Sequence, residues 1–284
     1  MNKEAIKKSL FAKSKEENNT AGSAQQAPLS DGTQQSDAQG LPLFFRRPAP
    51  LDVNRHRKAG IVPTQDFSFA AGTNSIPLTL IEFPEVAKCY PIVFTADEVP
   101  APVAVVGLEK QNYFVGEDNN WRAGTYIPGY VRKYPFIFMD LPEREQFLLC
   151  VDEGAVHYKE NGGDGAVPLY DGDQPSELTR GALDFCTMFQ NHHQLTRQFC
   201  EAAKKADLFA GTQSDAKLFN GREIHLGGFQ VIDEAKLNNL SDENLLEFRK
   251  AGFLPFLYFA LMSGSNWTKL VDLAAEVERK KKAN

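Results

Sequence analysis

The sequence IPLTLIEFPEVAKCYPIVF, at residues 76–94, opens the stretch that decides the fold. The stretch continues as PVAVVGL (102–108) and QNYFVGEDNNWRAGTYIPGYVRKYPFIF (111–138). Short apolar runs alternate in it with Pro, Gly, Asn and Asp, a pattern typical of short strands joined by tight turns. We therefore predict an antiparallel or mixed sheet with one face against a core.

The strands can be assigned from the individual apolar runs. A helical turn begins at Pro84, since proline suits the first turn of a helix. The predicted strands are Pro91–Phe94, Val103–Leu108, Tyr113–Val115, Tyr134–Met139 and Phe147–Asp152.

After this β-rich portion the hydrophobic period changes. Apolar side chains recur at steps of three and four from Leu178 to Ala203, which predicts one long amphipathic helix from Ser176 to about Phe209. Further on, Asn220-Gly221 separates two β-type runs. Since a type I′ turn needs positive φ at both central residues, this dipeptide predicts a β-hairpin.

The remaining chain is predicted to be helical. Ser241 is an N-cap and Gly252 ends that helix. Pro255 opens a helix that is apolar on all sides and is therefore predicted to be buried in the core, and Asn266 caps a last helix from Trp267. The fold class is α+β: a β-rich N-terminal portion, a long helix, an NG β-hairpin and a C-terminal helical group.

The predicted domain organisation is a tail followed by one domain. Residues 1–40 are rich in Ser, Gln, Asn and Ala, so they cannot recover the entropy of ordering by burial and are predicted to be disordered. An alternative is a short amphipathic helix on Ile6, Leu10 and Phe11 that docks on a partner or a membrane surface. Residues 41–284 form the single domain, β-rich over 41–170 and helix, hairpin and helices over 176–280.

Composition excludes several classes of protein. A formal net charge of −6 argues against a nucleic-acid partner, because such binding needs a basic face. No apolar run approaches the length of a membrane span. The N-terminus lacks the apolar core of a conventional secretory signal. We predict a cytoplasmic protein, with a surface location through non-classical export as the alternative.

The residue types that usually bind metals or cofactors form no known motif. The four cysteines make no CxxC pair and are predicted to be buried free thiols. The histidines lack HxH and HExxH spacing, and no phosphate-binding glycine loop or GxSxG is found. We therefore predict no metal, no cofactor and no catalytic residue. His56, in the basic turn NRHRK, is either an anion ligand or part of a solvated turn.

Glu82 is an acid between apolar runs, in LIEFPEV. An ionised carboxylate in such a place needs a partner. It is either a functional acid with a perturbed pKa or the partner of an arginine such as Arg132.

Residues 121–136, WRAGTYIPGYVRKYPF, form the densest group of aromatic and basic side chains. Such a group can line a pocket for a planar or anionic ligand, or it can form an aromatic mini-core whose hydroxyls bind turn backbone. The candidate ligand-binding residues are Glu82, Trp121, Arg122, Tyr126, Tyr130, Arg132, Tyr134 and His56.

The central stretch resembles the bacterial SapC family. The resemblance also rests on RHRKAGIVPTQDFSFAAG (55–72) and on residues 226–274, from LGGFQVID to KLVDLA, and it spans about 51 to 275. It implies a link to a paracrystalline surface layer, after which the family is named. It also implies association with tryptophan-halogenase-like, cupin-like or TonB-dependent receptor proteins. A peptide-transporter permease of the same name is unrelated, and the family offers no catalytic residues to carry over.

Three functional hypotheses follow. The first is a non-enzymatic accessory or surface-layer-type protein that binds a small ligand or a protein partner through the aromatic-basic stretch. The second is an enzyme for an amino-acid or peptide substrate, using Glu82, Arg132 and a histidine. The third is a soluble component of a TonB-linked nutrient-uptake system. Convergence of Glu82, His56, Tyr130 and Arg132 on one pocket would favour binding or catalysis.

Overall fold

The structure, a computed structural model, describes residues 40–141, 146–217 and 223–283. In these ranges the chain has the predicted α+β fold. The strands are β1 (Pro48–Pro50), β2 (Gly60–Ile61), β3 (Ser75–Pro77), β4 (Ile92–Thr95), β5 (Pro102–Val105), β6 (Phe136–Leu141), β7 (Gln146–Asp152), β8 (Tyr158–Lys159), β9 (Val167–Pro168), β10 (Tyr170–Asp171), β11 (Gln174–Pro175), β12 (Phe209–Lys217) and β13 (Glu223–Ile232).

The helices lie between and after these strands. They are α1 (Val53–His56), α2 (Phe83–Val86), α3 (Gly129–Arg132), α4 (Glu177–Lys205), α5 (Glu234–Asn238), α6 (Asp242–Ala251), α7 (Leu254–Ser263) and α8 (Asn266–Ala283). Single 3₁₀ turns occur at Ser68–Ala70 and Leu80–Glu82.

The largest sheet has the strand order β12-β13-β4-β5-β3, and its pairings are antiparallel. Three of its five strands come from the stretch at 76–138. Ala104 of β5 lies between Ile76 of β3 and Ile92 of β4, and all three side chains are buried. Smaller sheets have the orders β1-β7-β6, β8-β2-β9 and β10-β11. The prediction of a mostly antiparallel sheet is confirmed.

One phenylalanine joins the sheet to the helices. Phe83 is fully buried, and its ring lies 6.3 Å from Phe94 of β4, 6.0 Å from Phe199 of α4 and 6.2 Å from Phe256 of α7. Edge-to-face packing of this kind adds to the gain from burial. The turn that carries Glu82 and Phe83 is thus anchored from three sides.

The long helix α4 begins as predicted, with Ser176 as its N-cap, but it ends at Lys205, and Phe209, the predicted end, is the first residue of β12. The Ser176 hydroxyl accepts a hydrogen bond from the Thr179 amide. The buried stripe contains Thr196, Phe199 and Ala203. Because the Thr196 hydroxyl accepts a 2.7 Å hydrogen bond from the Leu80 amide, α4 is attached to the turn before Glu82.

The C-terminal helices differ from the predictions at two points. Asn266 was predicted to cap the last helix, but it is the first residue of α8, and its side-chain amide donates to the carbonyls of Ala87, Tyr90 and Ser263. Ser241 caps α6, and Gly252 ends it with φ +74°. The apolar helix α7 was predicted to be fully buried, yet it buries only one face, and Met262 is 66% exposed. The helix α7 packs against β4 and α2 with one face. That face contains Leu257 and Ala260, which are buried, and the opposite face is exposed to solvent.

The predicted hairpin is described in part. Strands β12 and β13 pair antiparallel as far as Lys217 opposite Glu223, and the register shifts between Thr212 and Ser214. The turn residues Asn220 and Gly221 lie outside the described residues.

One predicted strand, Tyr113–Val115, is wrong. In its place the structure has turns and an isolated bridge between Val115 and Trp121. The Asn112 side chain explains this, because it accepts a hydrogen bond from the Phe114 amide and donates one to the Ala70 carbonyl. A backbone amide held by a local side chain is not available to a neighbouring strand.

Two predictions from composition can be compared with the structure. All four cysteines are free and buried, as predicted, and burial raises the pKa of the Cys186 thiol to about 11. Over the described ranges, the helices are too short or too polar to cross a bilayer.

Candidate functional site

Glu82 lies at the centre of a buried hydrogen-bond cluster and is 4% exposed. One carboxylate oxygen accepts hydrogen bonds from the Thr79 amide and hydroxyl, both at 2.8 Å. The other accepts from the Gly129 amide at 2.5 Å and from the Tyr126 hydroxyl at 3.1 Å. Thr79 and Glu82 form a capping box, so this acid satisfies the turn that precedes α2.

Arg132 reaches Glu82 only through Tyr126. Its guanidinium donates a 2.8 Å hydrogen bond to the Tyr126 hydroxyl and lies 5.4 Å from the ring centres of Tyr126 and Phe185. Burial and then the Glu82 carboxylate raise the pKa of Tyr126 to about 12. The phenol therefore stays protonated and lies between Glu82 and Arg132, whose direct pairing was one of the two alternatives for Glu82.

Tyr130 and Lys133 complete this cluster against α4. The Tyr130 hydroxyl donates to the Leu43 carbonyl at 3.3 Å. The Lys133 ammonium lies 3.9 Å from the Tyr130 ring centre and 4.7 Å from that of Phe189, which are cation–π distances. The fit around Gly129 is tight, because an added Cβ would lie 3.1 Å from a Glu82 oxygen and 3.3 Å from the Phe189 ring.

His56 lies in a different cluster. It is fully buried, so a solvated basic turn is wrong for its side chain. Its Nε2 lies 3.3 Å from the Glu153 carboxylate, and its Nδ1 lies 3.2 Å from the Asp52 carbonyl. Arg55 also pairs with Glu153, at 2.6 Å. The anion beside His56 is therefore the protein's own glutamate.

Tyr134 belongs to a third cluster, around Asp152. The Tyr134 hydroxyl donates a 2.9 Å hydrogen bond to the Asp152 carboxylate, which also accepts from the amides of Arg46 and Arg47. Burial, reinforced by Asp152, raises the pKa of Tyr134. The Tyr134 ring stacks on Phe69 at 4.1 Å and meets the Phe45 ring edge-on at 5.3 Å, so this tyrosine helps to hold the segment around Phe45 to β7.

Trp121 and Arg122 lie together on the wall of a surface cavity. The Trp121 indole is 8% exposed and donates to the Tyr90 hydroxyl at 3.1 Å. Arg122 turns outward, with its guanidinium 3.5 Å from Glu276 of α8. Between residues 111–123 and α8 lies a cavity of about 480 Å³, which we call the C-terminal cleft.

The C-terminal cleft combines an apolar interior with charged walls. The apolar side chains that line it are Tyr113, Phe114, Val115, Trp121, Leu273 and Val277, and the charged ones are Glu117, Asp118, Arg122, Glu276 and Lys280. A second cavity of about 460 Å³ adjoins it and shares Arg122, Leu273, Glu276 and Lys280.

The charged groups on α8 interact with one another and with Arg122. Lys280 lies 3.4 Å from Glu276, one helical turn away. The hydrogen bond from Lys280, with the nearby Arg122 guanidinium, lowers the pKa of Glu276. The Glu276 carboxylate is therefore ionised at neutral pH and lies between two cations.

The predicted site residues are thus divided among four places. Glu82, Tyr126, Tyr130 and Arg132 lie together beside α4; Trp121 and Arg122 line the C-terminal cleft; and His56 and Tyr134 each lie elsewhere. Leu273, Glu276 and Lys280 also line the cleft and were not among the predicted site residues. Glu276 and Lys280 have i,i+4 spacing, but no local pattern pairs them with a loop 150 residues earlier. In the part of the chain that the structure describes, no group of His, Cys, Asp or Glu could hold a metal ion.

The fold and the cleft define an α+β protein with an apolar, charge-walled surface cleft. A family model, SapC, matches residues 51–270, and the chain belongs to the SapC family. This range includes all eight predicted site residues and ends within α8, before Leu273. No curated protein and no solved structure matches the chain.

Proposed function

We propose that this SapC-family chain is a non-enzymatic accessory protein that binds a small ligand in the C-terminal cleft. The observation that carries the proposal is the cleft itself. Its volume of about 480 Å³ falls within the range of small-molecule sites, and it joins buried aromatic rings to an outward-facing arginine. Trp121 and Arg122 belong to the aromatic-basic stretch for which ligand binding was predicted.

The hydrogen bonds of Glu82 support a structural role for this acid rather than a catalytic one. Its two carboxylate oxygens accept four hydrogen bonds from Thr79, Gly129 and Tyr126. A proton added to this carboxylate would turn an acceptor into a donor and disrupt the capping box or the attachment of Gly129. Surface-layer association, nutrient uptake and a cytoplasmic location remain predictions from the sequence.

A thermal-shift screen tests the proposal on the full chain. Amino acids, peptides, flavins and oligosaccharides are screened for a rise in melting temperature. A ligand at a hundred times its Kd stabilises the folded state by about 2.7 kcal/mol. For a domain of this size, that raises the melting temperature by roughly 5–10 °C.

A matched pair of variants assigns the site. Arg122 and Arg132 are both exposed, lie ten positions apart in the same stretch, and differ in that only Arg122 lines the cleft. Arg122→Ala abolishes the ligand-induced shift, and Arg132→Ala keeps it. Equal shifts in the two variants, or the absence of any stabilising ligand, contradict the proposal.

A further inference from the structure

The charges on the walls of the C-terminal cleft have opposite signs in different parts. Arg122 and Lys280 lie where the cleft meets the second cavity, and both line the two cavities. Glu117 and Asp118 line the first cavity but not the second. Hydrogen bonds from Asn120 lower the pKa of Asp118, so this carboxylate is ionised at neutral pH. The cleft thus offers a cationic part and an anionic part.

The Glu276 carboxylate shows what the cationic part can hold. It is half-buried and lies within 3.5 Å of both the Arg122 guanidinium and the Lys280 ammonium. Partly exposed ion pairs contribute little to stability, so a carboxylate from a ligand can replace Glu276 on Arg122 at small cost. An arginine guanidinium is also suited to bidentate binding of a carboxylate.

Apolar side chains line the same cleft as the two charged parts. The Trp121 and Tyr113 rings and Leu273 of α8 lie among the lining residues, and aromatic rings offer both apolar area and a face for cations. A ligand for this lining needs an apolar body between its charged groups.

We infer that the C-terminal cleft binds an apolar zwitterion of short-peptide length, with its carboxylate on Arg122 and Lys280 and its ammonium on Glu117 and Asp118. The inference rests on the proposed function and names the ligand class for that site. A free amino acid carries both charges on one carbon, whereas an unblocked dipeptide spans about 7 Å when extended. Because Arg122 and Lys280 also line the second cavity, whereas Glu117 and Asp118 line only the first, the two charged parts occupy different places along the cleft, and this favours the dipeptide.

Isothermal calorimetry on the full chain with four probes tests the inference. The probes are leucylphenylalanine, its N-acetyl derivative, its C-terminal amide and free phenylalanine. The unblocked dipeptide binds, and each single blocking group weakens binding about tenfold or more, because each removes a charge-assisted hydrogen bond. Free phenylalanine binds more weakly than the dipeptide.

Variants show which protein residue binds each charged end of the dipeptide. The quantity compared is the difference in affinity between probes, not the stability of the variant. Arg122→Gln removes the discrimination between the dipeptide and its amide, while the control Arg132→Gln keeps it. Glu117→Gln removes the discrimination between the dipeptide and its N-acetyl derivative, while Glu85→Gln, on the exposed surface of α2, keeps it. Glu276→Gln strengthens dipeptide binding, because it removes the competing carboxylate.

The outcomes separate this inference from the proposed function. Equal affinity for all four probes overturns the zwitterion. The zwitterion is also overturned if no peptide binds while a ligand of another class gives an Arg122-dependent thermal shift. In that case the proposed function stands. If no compound stabilises the protein in an Arg122-dependent way, both fail. A Glu276→Gln variant that binds the dipeptide more weakly overturns the competition between the two carboxylates.

Discussion

Glu82 is a candidate functional acid in the sequence, but in the fold it is a buried hydrogen-bond acceptor that stabilises the structure. An acid between apolar runs must be neutralised or hydrogen-bonded, and the structure does the second with donors from Thr79, Tyr126 and Gly129. Two of these donors lie more than forty residues further along the chain. Glu82 thereby connects the turn before α2 to the start of α3.

Replacing Glu82 tests that structural role. Glu82→Ala leaves buried donors of Thr79, Gly129 and Tyr126 without an acceptor, and we expect a loss of about 3 kcal/mol or more of unfolding free energy. Glu85→Ala is the matched control, since Glu85 is exposed and pairs with Lys88 on the surface. We expect that control to lose less than about 0.5 kcal/mol, measured by urea denaturation. Losses of similar size in the two variants would show that Glu82 is not an anchor.

His157 carries a second residue-scale prediction, which concerns pH. Its Nδ1 is buried without a hydrogen-bond partner among the described residues, and its ring packs against Phe69 and Tyr134. Burial lowers its pKa below the ordinary value of 6.5, against the opposing effect of Asp66 and Asp152. The unfolded chain therefore binds this proton at a higher pH than the folded chain does.

The sign of the pH effect follows from that difference. As pH falls below about 6.5, the unfolded state gains the proton first, so the free energy of unfolding decreases. His192, whose pKa burial also lowers, acts in the same direction. We expect His157→Phe to reduce the loss of stability between pH 7.5 and 5.5, measured by denaturation at each pH. An unchanged pH dependence in that variant would contradict the assignment to His157.

At the scale of elements, two glycines provide opposite predictions. Gly252 ends α6 with φ +74°, a conformation that costs a residue with a Cβ roughly 1 kcal/mol or more. Gly181 lies on the exposed surface of α4, where an added Cβ would meet nothing within 4 Å. Alanine has a helix propensity about 0.8–1 kcal/mol better than glycine.

The two alanine variants should therefore change stability in opposite directions. We expect Gly252→Ala to lower the melting temperature and Gly181→Ala to raise it, measured by circular dichroism or calorimetry. Because both changes add the same methyl group, each variant is the control for the other. A decrease in both variants would show that α4 is distorted at Gly181.

The elements that were predicted correctly are those with local signals. Ser176, Ser241 and Gly252 mark helix ends through their own capping chemistry, and the three- and four-residue spacing of α4 identifies its buried face. The errors have long-range causes. Tyr113–Val115 is buried like a strand but is held by Asn112, and α7 is apolar on all sides although one face is exposed to solvent.

At the scale of the whole molecule, the two ends of the aromatic-basic stretch, residues 121–136, contact different helices. Within ten residues the chain passes from Arg122, which faces α8, to Arg132, which faces α4. Gly124, with φ +75°, lies between them and allows the turn. These side chains were predicted to form one group because they are close in the chain. In the fold, one end of the stretch contacts α8 and the other end contacts α4, so the side chains have different partners.

The central claim is that ligand binding belongs to the C-terminal cleft and not to the Glu82 cluster. Hydrogen–deuterium exchange of the full chain, with and without a ligand from the screen, measures this directly, since bound segments open less often. Binding in the C-terminal cleft should slow exchange in residues 111–123 and 266–280 and leave it unchanged in residues 79–82 and 126–133. Slower exchange confined to residues 79–82 and 126–133 would contradict it.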